Sequence, residues 1–448
     1  MDNSPAARQP RFFYGWVIVG VMTVIGGLTM AMAGFNFGLF IRPMGQDLGI
    51  SRQTFGWALS ARQLAGAFTG PQVGRVLDRR GARLLLIAAT TITCAGMVGL
   101  AYVETGWQLI AVFVVMGAAG MTGPGAMLIS VPVAKWFVQR RGLAMGIMSV
   151  GTPLGAVIMV PLTQILIGRF GWQDSWLILA VLCFAIVVPL ALFVRRQPED
   201  MGLRPDGAPA TGEAGRAASR ANAVLELASF TVREATHTVT FWRLVVVFSL
   251  VMLAMGSVGL HRIPHFTDEG ISAGWVSAAI SADAASACVS TFLMGWLIQR
   301  WPARYVGAVG FALLAVGVGV TIFAHTIPLM FLSMVIFGLG AGGMILLQGF
   351  LWADYFGRAQ VGAIRGASMP ITLVFSAAGP PIAGLVYDQT GSYNPVWWVG
   401  IGLMVTGAIV LALTPPPKKG VHHPASSPSD ERERARGGLP AAETAGGS

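Results

Sequence analysis

Apolar residues recur along this chain in long runs, not in the narrow stripes of a soluble globule. Twelve runs can be drawn, at roughly 14–40, 53–76, 82–103, 107–134, 142–168, 174–194, 241–265, 273–298, 304–325, 327–352, 361–387 and 395–414. A helix needs roughly 20 apolar residues to cross a hydrocarbon core about 30 Å thick. The pattern predicts an all-α polytopic membrane protein with twelve transmembrane helices. The run from Phe12 onward is too long for the apolar region of a signal peptide and reads as the first span. Connections are short except for a polar stretch rich in Ala, Gly and Arg. The expected organisation is an N-terminal segment at 1–13, a six-helix bundle at 14–194, a central loop at 195–240, a second six-helix bundle at 241–414 and a tail at 415–448. The tail, with three consecutive prolines followed by Ser, Gly and mixed charge, reads as disordered.

The two bundles repeat each other. Pro43, Asp47, Gly49, Ile50 and Ser51 return as Pro264, Asp268, Gly270, Ile271 and Ser272, each 221 positions on, and Gly74, Arg79 and Arg83 return as Gly295, Arg300 and Arg304. The fifth and eleventh runs repeat at an offset of 220, which carries Gly142, Gly146, Pro161 and Gly171 onto Gly362, Gly366, Pro381 and Gly391. Small residues four apart, such as Gly142 and Gly146, Gly151 and Gly155, or Gly362 and Gly366, let helix backbones approach where lipid supplies no hydrophobic drive. Two pseudo-symmetric six-helix halves follow from the repeat.

Composition strengthens this picture. Hydrophobic residues make up 54% and charged residues 11%, too little charge to solvate a globule of 448 residues. The net charge of +10 has a topological explanation. Arg79, Arg80, Arg83, Lys135, Arg140, Arg300, Arg304, Arg358, Lys418 and Lys419 fall on one side of the spans. Arg42, Arg52, Arg169 and Arg262 fall on the other, mixed with Asp47, Glu104, Asp174, Asp268, Glu269 and Asp388. The positive-inside bias puts both termini in the cytoplasm. No basic tract interleaved with exposed aromatics suggests nucleic acid. Cys94, Cys183 and Cys288 lie in apolar runs without CxxC spacing or a partnering His, as small apolar residues do. No nucleophile–base set or metal spacing suggests an enzyme, a metal or a cofactor.

Ionisable residues at membrane depth are costly and are candidate functional groups by default. The repeat places Arg62 and Asp283 at equivalent positions, deep in the second and eighth spans. An Arg fork matches a carboxylate, and burial disfavours the charged form of an Asp, which suits reversible proton uptake. The expectation is that Arg62 contacts an anionic substrate and Asp283 takes up a coupling proton. Against this stands a purely structural role at helix interfaces. His261, Arg262 and His265, near one end of the seventh span, either reach to the interface or line a substrate vestibule, with His261 a candidate proton carrier. Asn36 and Gln348 are candidate hydrogen-bonding partners of substrate, and Arg365 reads as a gate or topology residue. Trp107, Trp172, Trp397 and Trp398 suit interfacial belts.

One stretch carries a resemblance. Gly74, Asp78, Arg79, Gly81 and Arg83 resemble the G-x-x-x-D-R-x-G-x-R loop between helices two and three of the major facilitator superfamily; Leu84 departs from its usual second basic residue. The second copy is degraded, with Gln299 for the Asp and Pro302 for the Gly. In that superfamily the cluster holds the cytoplasmic side shut in one state. The glycine lets a partner helix approach, and the aspartate sits against a helix N-terminus. Tyr14, Gly15 and Trp16 opening the first span, Trp136 and Phe137 before Arg140 and Arg141, and the run Pro198 to Leu203 are similar to the bacterial monocarboxylate-transporter and oxalate:formate-antiporter branch. Monocarboxylate transporters carry a cation in span one and an Asp with an Arg four residues later in span eight. Here span one has no Lys or Arg between Trp16 and Arg42, and Ala287 follows Asp283 at that spacing. The resemblance implies a monomeric secondary transporter of the bacterial inner membrane that moves a small organic anion, a monocarboxylate, with protons. Anion exchange or export of another small metabolite, or a membrane sensor or assembly partner that has lost transport, are the alternatives.

Overall fold

In a computed structural model the protein is described over residues 13–29, 34–119, 126–137, 140–201, 203, 230–357 and 360–417. Most of the expected N-terminal segment, central loop and tail, with Arg358, Lys418 and Lys419, lies outside these residues.

The described helices make twelve passes. The first pass comprises Gly15–Leu28 and Gly34–Leu48, the second Arg52–Arg80, the third Ala82–Leu100, and the fourth Gly106–Ala118 and Ala126–Trp136. The fifth and sixth share Arg141–Leu192, divided by non-helical Gly171. The seventh is Val239–Asp268, the eighth Ala273–Ile298 and the ninth Ala303–Ile322. The tenth comprises Ile327–Ala341 and Met344–Phe356, the eleventh is Val361–Thr390 and the twelfth Asn394–Ala412. Seven of the described helices are long and apolar enough to cross a membrane unaided. The rest are interrupted or, like the second pass, more polar.

Each half builds its own core. Leu86, Met97, Leu109, Trp136 and Trp176 belong to one, and Phe241, Phe248, Leu314, Trp352 and Trp397 to the other. Glycine sets how closely helices approach. Gly151 and Gly155 lie on the fifth pass, where any Cβ would collide with the carbonyl oxygens of Thr23 and Gly27 on the first. Such contact lets dispersion replace a missing hydrophobic drive. The other glycine pairs behave differently: a Cβ at Gly146, Gly362 or Gly366 would meet nothing. Those positions lie toward the end of the bundle that carries Gly81 and Arg300.

At the opposite end the halves are joined. Arg52, at the start of the second pass, pairs with Asp268 at 2.5 Å. It also donates to the Tyr393 hydroxyl at 2.6 Å and stacks 3.9 Å over the Tyr387 ring. Asp388 accepts from the backbone N–H groups of Arg52 (3.1 Å) and Gln53 (2.9 Å), so a carboxylate from the eleventh pass caps the positive start of the second. Arg42 donates to the Thr267 carbonyl at 2.8 Å. Deeper in the same seam Ser60 donates to the Ala377 carbonyl, Ser376 lies 3.4 Å from Gln63, and Ser281 donates to the Val157 carbonyl at 3.3 Å. Leu39 and Val160 pack with Ile263, Phe266 and Ile280. These hydrogen bonds between the halves all lie toward one end of the molecule. We call it the latched face, and the other the open face.

Two outcomes follow from this packing. Gly155→Leu should prevent the first and fifth passes from closing and lower the thermal unfolding temperature in detergent, at a cost of about 1–3 kcal/mol for overpacking, whereas Gly146→Ala should leave it unchanged. Arg52→Ala should unlatch the halves: in a background without Cys94, Cys183 and Cys288, a Ser60→Cys probe should react with an impermeant maleimide from the latched face several-fold faster. An unchanged labelling rate would show that the latch lies elsewhere.

Candidate functional site

The most deeply buried charge pair described joins the seventh and eighth passes. Arg262 Nη2 lies 2.5 Å from Asp283 Oδ2, with Arg262 1% and Asp283 6% exposed. The guanidinium also stacks 4.2 Å over the Phe337 ring of the tenth pass. Next to Phe337, a side chain at Gly338 would collide with Ser286 Oγ and the Asp283 carbonyl oxygen. Glycine is required there so that the tenth pass can close over the pair. Arg262 Nη1 is buried and makes no hydrogen bond among the described residues.

Arg262 is turned inward, 1% exposed, and the seventh helix continues past it to Asp268. Of the two alternatives read from the sequence, reaching outward does not describe its side chain, which is held by Asp283 nearly two turns before the end of the helix. Removing one partner of such a pair leaves an unscreened charge, a loss of about 3–5 kcal/mol. Double replacement by apolar residues avoids that cost, so the pair is a weak device for stability alone.

His261, one residue earlier, points the other way. Its Nε2 is 2.8 Å from the Pro380 carbonyl, which can only accept, so Nε2 carries the proton. Nδ1 then accepts from the Tyr393 hydroxyl at 3.2 Å, and Tyr393 accepts from Arg52. A single chain of donors runs Arg52, Tyr393, His261, Pro380. The structure therefore places His261 in the latch and does not bring it to Asp283 in any described contact.

Arg62 is 2% exposed and lies in the other half. Its guanidinium is 5.8 Å over the Phe113 ring of the fourth pass, and its carbonyl abuts Gly117. Phe113 in turn packs 4.4 Å from Phe37, beside fully buried Asn36. Arg62 belongs to the interface of the second and fourth passes, and no described contact joins it to Asp283. Gln348 lies on the tenth pass toward the open face, where its side-chain oxygen accepts from Arg365 at 3.4 Å.

The motif residues sit at the open face. Gly81 turns the chain between the second and third passes with φ 79°, a conformation that favours glycine, and a Cβ there would crowd the aliphatic part of Arg196. A Cβ at Gly74 would meet nothing within 4 Å, so the close helix approach expected of it is not seen here. Arg79 and Arg83 are exposed, and the Asp78 side chain lies outside the described residues. Of the tryptophans, Trp107 (70%) and Trp398 (52%) are exposed as belts require, but Trp172 and Trp397 are buried. Trp172 donates to Asp47 at 2.6 Å, and Trp397 packs edge-on to His265.

Sequence reasoning found both members of the central pair but not their pairing, which depends on the rotation of two separate helices. The latch role of Arg52 left one trace: the repeat has Ala273 at the equivalent position.

Comparison with known proteins agrees with this architecture. The family model described as Major Facilitator Superfamily matches residues 23–282 and 263–441. The chain is similar to Monocarboxylate transporter 11 of Homo sapiens, 25% identical over 438 residues covering 92% of this chain and 84% of that protein. It is also similar to the Uncharacterized MFS-type transporter YcxA of Bacillus subtilis (strain 168), 21% identical over 427 residues, 91% and 98% of the two chains. Among solved structures, a D-xylose-proton symporter aligns with TM-score 0.68 at 14% identity, over 90% of this chain and 98% of that one. The nucleoside transporter NupG aligns with TM-score 0.65 at 16% identity, over 90% and 100%. These likenesses show the fold, and with the family match they establish that this chain is a transporter of the Major Facilitator Superfamily, not an enzyme.

Proposed function

We propose that the protein carries a small organic anion, a monocarboxylate, together with one proton, and that Arg262 and Asp283 are the site. The buried, mutually neutralising pair carries this reading. At rest the site has no net charge. A carboxylate that enters alone must compete with Asp283 for Arg262 and leaves one uncompensated negative charge in a medium of low dielectric, at a cost of several kcal/mol. A proton that enters alone neutralises Asp283 and leaves Arg262 uncompensated. Only the two together restore neutrality: Asp283 holds the proton and the anion takes its place on the guanidinium fork. Empty and fully loaded sites can therefore reorient, and partly loaded ones are penalised. That is obligatory symport with one proton per anion.

The relatives named as monocarboxylate transporters support the substrate class. The neighbouring span supplies the arginine that the sequence lacks four residues after Asp283. Asn36 would face the substrate from the first half. Arg62 would supply a second positive field across Phe113, and Gln348 with Arg365 would line the route to the open face. Rocking of the 14–194 and 241–414 bundles about this site gives alternating access. The charge bias supports a periplasmic latched face with both termini in the cytoplasm, and the bacterial relative supports a place in the inner membrane, where we read the protein as a monomer.

Asp283→Asn keeps a polar partner for Arg262 but cannot take up a proton. The loaded site stays neutral with an anion alone, while the empty site keeps a positive charge and cannot return. In proteoliposomes the variant should therefore exchange labelled for unlabelled lactate or pyruvate at rates near the wild type. It should lose accumulation driven by a pH gradient, at least tenfold. Undiminished proton-driven accumulation would remove Asp283 from the coupling step.

A further inference from the structure

The latched face is acidic in sequence, yet most of its acids are already engaged. Asp268 is paired with Arg52, Asp388 accepts two backbone N–H groups, Asp47 accepts from Trp172 and Glu269 lies 2.8 Å from His325. Arg42 differs. Its described bond goes to an uncharged group, the Thr267 carbonyl. No described carboxylate pairs with it, so a positive charge persists at this point of the surface.

Beside it is a half-open cavity of about 180 Å³ between the two halves. Arg42, Gln46 and Gln164 give it convergent polar groups, and Leu39, Ile167 and Ile263 give it an apolar wall. One cation, two amides and a short greasy surface match a small carboxylate with a hydrocarbon tail. The floor is equally informative. Gly38 lines the cavity and packs on Ile263 and the Leu260 carbonyl, and Ile263 is the neighbour of Arg262. The cavity ends where the seal between the halves begins, one residue along the chain from the central pair.

We infer that this cavity is a loading site for the carboxylate substrate on the latched face, with Arg42 as the residue that captures it. The anion waits on Arg42 while the seal at Gly38 and Ile263 is shut. When the halves part there, the anion passes to Arg262. The inference rests on the reading of the protein as an anion carrier, since it gives that carrier its point of entry. Clefts that hold one sign of charge between low-dielectric walls raise the local concentration of the opposite ion.

Arg42→Gln is the discriminating change, because Gln keeps a donor for the Thr267 carbonyl while losing the charge. The measurement uses purified protein in nanodiscs, free of its native cysteines and carrying Gln46→Cys. The rate of maleimide modification at that position is followed against acetate, lactate and pyruvate, with chloride at equal ionic strength as control. Carboxylates should slow modification where chloride does not. Arg42→Gln should raise the half-protecting concentration roughly tenfold, on the modest end of such focusing, and Arg42→Lys should largely restore it. Uptake from the latched face should show the same change as a raised KM with unchanged kcat. Equal protection in wild type and Arg42→Gln, or equal protection by chloride, would overturn the loading site. Wild-type flux without protection would also overturn it. Protection without flux would leave the loading site standing and overturn the transport reading instead.

Discussion

Burying opposite charges side by side is costly unless each compensates the other, and the arrangement of this protein depends on that constraint. Arg262 and Asp283 lie at the contact of the seventh, eighth and tenth passes, roofed by Phe337 and closed by Gly338. Neither charge tolerates the loss of the other in this medium. Any ligand that enters must therefore reproduce the neutrality it disturbs. Under the proposed function, a requirement of this kind selects a proton and an anion as a unit, with no need for a pocket shaped to one molecule.

The seventh helix connects this site to the rest of the molecule. One face presents Arg262 to the eighth and tenth passes, and the adjacent residue presents His261 to Pro380 and Tyr393. Its last turn offers Thr267 and Asp268 to Arg42 and Arg52 of the other half. The negative end of a helix attracts cations, so this end is a natural seat for both arginines. A rotation or tilt of that helix must alter the central pair, the latch and the cavity at Arg42 together. The repeat is also broken here, with Arg52 in one half where the other has Ala273. A latch made of one arginine from one half and acids from the other cannot be symmetric.

Much of the architecture was legible in the sequence because it depends on composition and local rules. Long apolar runs, a 221-residue repeat and a glycine turn at Gly81 need no knowledge of neighbours. The depth of Asp283 and Arg62 was legible for the same reason. What touches them was not. Arg62 and Asp283 occupy equivalent places in the repeat, yet Arg62 faces Phe113 within its half and Asp283 faces Arg262, 21 residues away on another helix. Helix rotation decides that, and an apolar run has almost no amphipathic signal from which to read rotation. The glycines show the same limit: side chains at Gly151 and Gly155 would meet the first pass, while at Gly362 and Gly366, with identical spacing, they would meet nothing.

The energies of the two charge sites differ in a way that suits a reversible carrier. The latch is partly exposed, with Arg52 and Asp268 side chains 16% and 27% accessible. Exposed pairs contribute roughly 0–1 kcal/mol each, so even with its neutral hydrogen bonds the latch holds one state by only a few kcal/mol. A preference of that size can be overcome by thermal motion on the timescale of transport. The buried pair, by contrast, imposes a penalty of several kcal/mol on any partly loaded site. Reorientation is thus cheap for neutral sites and expensive for charged ones. If the pair is the transport site proposed above, the coupling between proton and anion resides there, and the latch has only to keep one face shut at a time.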